Sequence, residues 1–123
     1  ASQISRQYAD DSGTLHVITV GARTEDEIAQ SIQQGERGNQ VAMAPWAMQR
    51  LLGVVATEVE RVAGAGRVPV ILCSSRIRLA LRRMLERRLP NVVVLSFAEV
   101  TSQTAVDAVG NIEVNVGNEA LHR

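Results

Sequence analysis

The sequence predicts an α/β fold: a small single-domain sheet with a central right-handed βαβ unit, two parallel strands joined by an arginine-rich crossover helix, and flanking helices. Three observations carry that expectation. Val68 to Cys73 (VPVILC) and Val92 to Leu95 (VVVL) are apolar on both alternating faces, as strands of a parallel sheet covered on both sides are. The segment between them, roughly residues 76–89, has the length and periodicity of a helix. Strand, helix and strand together fit into about 28 residues, a βαβ connection that is almost always right-handed.

The remaining elements follow in order. Residues 1–14 end in the turn-forming cluster Asp10-Asp11-Ser12-Gly13 and read as a lead-in from an upstream region; 15–116 form the domain and 117–123 a tail. Leu15 to Val20 is rich in β-branched residues and lies between Gly13 and Gly21, which predicts a strand. Thr24 and Glu27 have capping-box spacing, so a helix is expected over about residues 25–34, closed by Gly35. Gln40 to Met43 is a short strand candidate, and Pro45 suits the first position of a helix because its missing N–H costs nothing there. Met48, Leu51, Leu52, Val55, Val59 and Val62 then recur at helical spacing until Gly64 and Gly66. After the βαβ unit, Ser96 and Glu99 repeat the capping-box spacing before a short helical segment. Ile112, Val114 and Val116 alternate with polar residues as in a strand wetted on one face.

Composition narrows the function. At 123 residues, 46% hydrophobic and 21% charged with no net charge, the chain has the make-up of one folded domain. Neutrality and only three aromatic residues (Tyr8, Trp46 and Phe97) argue against a nucleic-acid binder, although six of the thirteen arginines fall between Arg76 and Arg88 and no lysine is present. One cysteine excludes an internal disulfide and a thiolate zinc site, and neither His16 nor His122 has a metal-ligand partner at a suitable spacing, so no metal or cofactor is expected. Apolar stretches of only four to six residues are too short for a membrane span.

Two places invite a chemical reading. Cys73 ends a buried strand just before a helix N-terminus, the arrangement of cysteine-dependent phosphatases and phosphate-binding loops. Those loops place five residues between Cys and Arg, whereas Cys73 to Arg78 leaves four, and no glycine is present to let successive N–H groups converge. No catalytic residue is therefore assigned, with a phosphatase or phosphate-binding module kept as the alternative. The arginine helix is the second place. On a helical wheel, Ala80, Leu81, Met84 and Leu85 fall within about 80° of Ile77 and face the sheet, while Arg76, Arg78, Leu79, Arg82, Arg83 and Glu86 occupy the other half, with Arg76, Leu79, Arg82, Arg83 and Glu86 the candidate contact residues. A leucine inside a ring of arginines is the composition of a protein contact, against which stands a merely solvated basic face.

The run Pro69 to Val100 (PVILCSSRIRLALRRMLERRLPNVVVLSFAEV) resembles the C-terminal cytoplasmic region of the large export-gate protein family of bacterial type III secretion, shared by flagellar and virulence-associated machines. The resemblance extends over roughly Tyr8 to Val116, with Leu95, Ser96, Phe97 and Glu99 matching the family's Leu-Ser-aromatic-x-Glu strand end. Ala44 departs from it, standing where many relatives carry an Asp before the proline. The resemblance implies a noncatalytic last subdomain of a protein held in the bacterial inner membrane, on its cytoplasmic face, with no membrane contact by this piece. It also implies a nonameric ring, and as partners the ATPase complex's stalk protein, chaperones and exported substrates, with the stalk docking between neighbouring subunits.

Overall fold

In the computed structural model, residues 7–35, 38–100 and 102–114 are described. Strand β1 (Thr14–Val20) leads to helix α1 (Ala22–Gln30), a hairpin of β2 (Ile32–Gly35) and β3 (Gly38–Val41), and the long helix α2 (Pro45–Gly64). Strand β4 (Val70–Cys73), helix α3 (Ser75–Leu85) and strand β5 (Val93–Ser96) form the βαβ unit; a 3₁₀ turn (Phe97–Glu99) and strand β6 (Ala105–Ile112) follow.

Four strands make one sheet in the order β5-β4-β1-β6, every neighbouring pair parallel. The expected two-strand unit is thus the half of the sheet that is contiguous in sequence. Side-chain alternation divides the sheet residues between two cores. Ile18, Ile71, Cys73, Val94 and Ile112 meet Ile28 of α1, Leu51, Val55 and Val59 of α2, and Ile77, Leu81 and Leu85 of α3. Leu15, Val17, Val70, Leu72 and Leu95 point to the other face, where Tyr8 and Val100 pack on them. Helices α1, α2 and α3 therefore lie on one side, and Tyr8 together with the chain passing from β5 to the opposite edge helps close the other. Residues apolar on both faces were selected because both faces are covered.

Several boundaries differ from the sequence expectation. Helix α1 starts at Ala22 with Gly21 as N-cap, so Thr24 lies inside the first turn; its hydroxyl accepts from the Val114 amide at 2.9 Å. The helix stops at Gln30, and Ile32–Gly35, expected as its last turn, pairs with β3. Helix α3 ends at Leu85 rather than near residue 89. The last strand runs over Ala105–Ile112 and shares only Ile112 with the alternating stretch expected as a strand; Val114 follows it outside any strand, and Val116 lies outside the described residues. The Ser96–Glu99 box does form, Glu99 accepting from the Ser96 amide at 2.8 Å and from its hydroxyl at 3.1 Å.

Strand β6 carries a bulge: Val17 pairs with Ala108 but Ile18 with Gly110, leaving Val109 extra. Arg61, held by Glu58 at 3.0 Å, donates to the Val109 carbonyl at 2.6 Å and fastens α2 to the bulge. A Cβ on Gly110 would stand 2.6 Å from Glu58 Oε1 and 2.7 Å from Arg61 Nη2, so glycine makes the approach possible.

Candidate protein-docking groove

Helix α3 is amphipathic in the phase the sequence predicts. Ile77, Leu81 and Leu85 are buried against the sheet, and Leu79, on the opposite side, is 51% exposed. Its N-terminus is already occupied: Glu25, a buried residue of α1, accepts from the Ser74 amide at 2.8 Å, placing the chain's own carboxylate where a bound anion would sit. Cys73 beneath it is buried and donates its thiol hydrogen to the Leu95 carbonyl at 3.8 Å. Burial, reinforced by the charge of Glu25, pushes that thiol up to about 12, so the thiolate a nucleophile needs is suppressed. The phosphatase alternative is not supported.

The outer face of α3 opens into a groove of about 480 Å³ between the helix, the β2–β3 hairpin and the start of α2. Ile32, Val41, Met48, Ala80 and Met84 line it with apolar surface, Leu79 projects beside them, and Arg76 and Arg83 stand among the lining residues one full double turn apart. Arg76 is anchored by Asp26 of α1 at 2.8 Å.

Three of the five residues expected to form a contact surface, Arg76, Leu79 and Arg83, are thereby brought together. The other two are not. Arg82 turns toward the far side of the helix, where its Nη2 donates to the Pro90 carbonyl at 3.4 Å and its Nη1 is buried without an acceptor. Glu86 is the exposed C-cap beyond the last turn and does not line the groove. A wheel at 100° per residue places Arg82 beside Leu79 in angle but ignores the Pro90 turn that captures its long side chain. Conversely, the hairpin contribution from Ile32 and Val41 escaped sequence reading. Gly35 and Gly38 flanking a short break were the available signal.

Residues 1–105 match the family model described as FHIPEP family. The flagellar biosynthesis protein FlhA of Bacillus subtilis is 32% identical over 114 residues, which is 93% of this chain and 17% of that relative, so the chain spans about a sixth of its length. The nonameric EscV cytosolic domain from the type III secretion system is 28% identical with a TM-score of 0.68, over 90% of this chain and 32% of that one. In the Chlamydia pneumoniae CdsV and CdsO complex the matching chain is 22% identical with a TM-score of 0.79, over 90% of this chain and 33% of that one, a likeness of fold. With the parallel sheet, the arginine helix and a family match over most of its length all agreeing, the chain belongs to the FHIPEP family of flagellar and type III secretion export-gate proteins.

Proposed function

We propose that this chain is a noncatalytic cytoplasmic subdomain of an export-gate protein whose remainder is anchored in the bacterial inner membrane, and that it contributes to ring assembly and docks other secretion components. The assembly half of this reading draws on the nonameric EscV cytosolic domain. The docking half draws on the CdsV and CdsO complex, in which a relative of the same fold binds a second protein.

One observation on this chain carries the docking role: the groove beside α3 combines an exposed leucine, adaptable methionines and paired guanidinium groups. An apolar anchor excludes water, and arginine forks orient a partner through its carboxylates at less desolvation cost than lysine. Met48 and Met84 let the groove walls adjust to the incoming side chains. Arg76 and Arg83 lie about 10 Å apart along the helix axis. The occupant that fits is a helix with an apolar stripe flanked by carboxylates, as a stalk protein, chaperone or exported substrate can present. Since Arg82 faces elsewhere, the informative charge reversal is Arg76→Glu with Arg83→Glu.

Export is measured in cells whose complete gate protein carries that pair or Leu79→Asp, with the gate protein quantified. A strong loss of export at unchanged protein level and unchanged melting of the isolated chain is expected. Normal export from both variants would move docking to another face.

A further inference from the structure

At the amino-terminal ends of the parallel strands, remote from the groove, three segments converge on His16 of β1. Asp10 from the lead-in turn sets Oδ2 2.7 Å from His16 Nε2. Asp107 of β6, paired directly with His16 in the sheet register, sets Oδ2 3.1 Å from Nδ1. Arg67, on the approach to β4, directs its guanidinium at that same Nδ1. Neither carboxylate stands near His16 in sequence at a ligand spacing; folding assembles the group.

Asp10 is fixed. Its Oδ1 accepts from the Ser12 hydroxyl at 2.7 Å, the Ser12 amide at 2.9 Å and the Thr14 amide at 3.0 Å. The Ser12 hydroxyl above all, then His16 and the Thr14 amide, hold its carboxyl far below the usual carboxylate range, so Asp10 stays charged and keeps a proton on Nε2. The Nδ1 position, by contrast, is claimed twice. With a proton it donates to Asp107, and Arg67 has no acceptor there. Without one it accepts from Arg67, and the Asp107 carboxylate meets a lone pair. Both arrangements satisfy the ring, but each satisfies a different neighbour.

The two neighbours are placed differently: Arg67 lies on the exposed segment before β4, whereas Asp107 belongs to β6, a sheet edge exposed from Ala105 to Ala108 and paired on one side only. Beside the cluster a cavity of about 320 Å³, bordered by Tyr8, Asp10, His16, Arg67 and Val68, leaves room for the Arg67 side chain to withdraw. Among the described residues, the charged and titratable groups around the imidazole are thus Asp10, Asp107, Arg67 and the Tyr8 phenol.

We propose that His16 is a proton-operated switch: doubly protonated, it latches the start of edge strand β6 through Asp107; neutral, it releases that strand and hands Nδ1 to Arg67. Acidification then tightens the β6 edge and frees a guanidinium next to the exposed Val68.

The test follows His16 ring nitrogens by NMR, together with amide-exchange protection factors for residues 105–108, in the 123-residue chain from about pH 8 to about pH 5.5. Protection at 105–108 is expected to rise about tenfold as the ring protonates, the scale of one hydrogen bond to a charged group. His16→Gln removes that pH dependence. Asp107→Asn removes it too while the ring still titrates, and because Asp107 is exposed this variant reports even if His16→Gln folds poorly. His122→Gln leaves it intact. Protection that stays flat across the range in the unaltered chain, or that responds equally in Asp107→Asn, would overturn the switch.

Discussion

Leu79 and Leu81 are the same residue type, two positions apart on one helix, yet 51% of the first is exposed and 1% of the second. Two positions are about 200° of helix, which carries a side chain from the sheet to the opposite surface. Leu81 joins Ile77 and Leu85 over the sheet, where its burial helps hold the fold; Leu79 joins Arg76 and Arg83 at a groove whose floor is supplied by other elements. Hydrophobicity alone therefore does not say whether a leucine serves stability or contact. Phase does, and the two residues furnish a built-in control for each other.

The largest effect belongs to the inner leucine. Leu81→Ala removes most of a fully buried side chain beneath a helix that cannot collapse freely onto a parallel sheet, and should cost about 2–5 kcal/mol in chemical denaturation. Against a typical total of about 5–15 kcal/mol, melting falls visibly. A cost no greater than that of the same change at Leu79 would break the comparison outright and mean that the helix is rotated.

That inner half was legible in the sequence because it is local. The stretch from β4 through α3 to β5 is continuous, its strands are uniformly apolar, and its helix shows an unbroken period. The two capping boxes show where legibility ends. Ser96 and Glu99 cap one another, and Arg78, which approaches Glu99 at 3.3 Å, leaves that box intact. Thr24 and Glu27 have identical spacing, but the Val114 backbone takes the threonine hydroxyl and the helix begins three residues earlier than the box predicts, at Ala22. Strand β6 hid for a different reason: the extra residue at Val109 puts Val106 and Val109 three apart and destroys the two-residue period on which a strand reading depends. At the groove, the helix supplied its readable share, Arg76, Leu79 and Arg83. The hairpin wall was unreadable because β2 acquires its identity only by pairing with β3.

A smaller effect sharpens the inner side of the comparison. Cys73 lies under α3 in the same core, and Cys73→Ala should cost about 1 kcal/mol, since it removes one small buried atom. Its pH dependence carries more information. The folded thiol is pushed from the ordinary 9.0 up to about 12, so the unfolded chain loses its proton first. The thiol's contribution is complete below about pH 9 and declines as pH rises from there toward 12, with a slope of up to about 1.4 kcal/mol per pH unit. Denaturation between pH 8 and pH 10.5 should show this decline, which Cys73→Ala flattens. Rapid alkylation of the native thiol at pH 8 would contradict the burial that produces it.

The smallest expected effect is the most telling. Leu79→Ala removes the same atoms as Leu81→Ala, but from a side chain already half in water and without a sheet beneath it. Alanine also has the higher helix propensity by a few tenths of a kcal/mol, which offsets part of the lost groove contact. The net change in stability should lie within about 0.5 kcal/mol of zero. Helicity and denaturant slope should be unchanged, because the inner face is untouched. If Leu79→Ala instead costs more than about 1 kcal/mol, the groove is closed by the chain's own side chains and Leu79 is structural. A near-zero cost leaves Leu79 an apolar side chain that the fold does not need, set between two arginines, as an anchor for a partner requires.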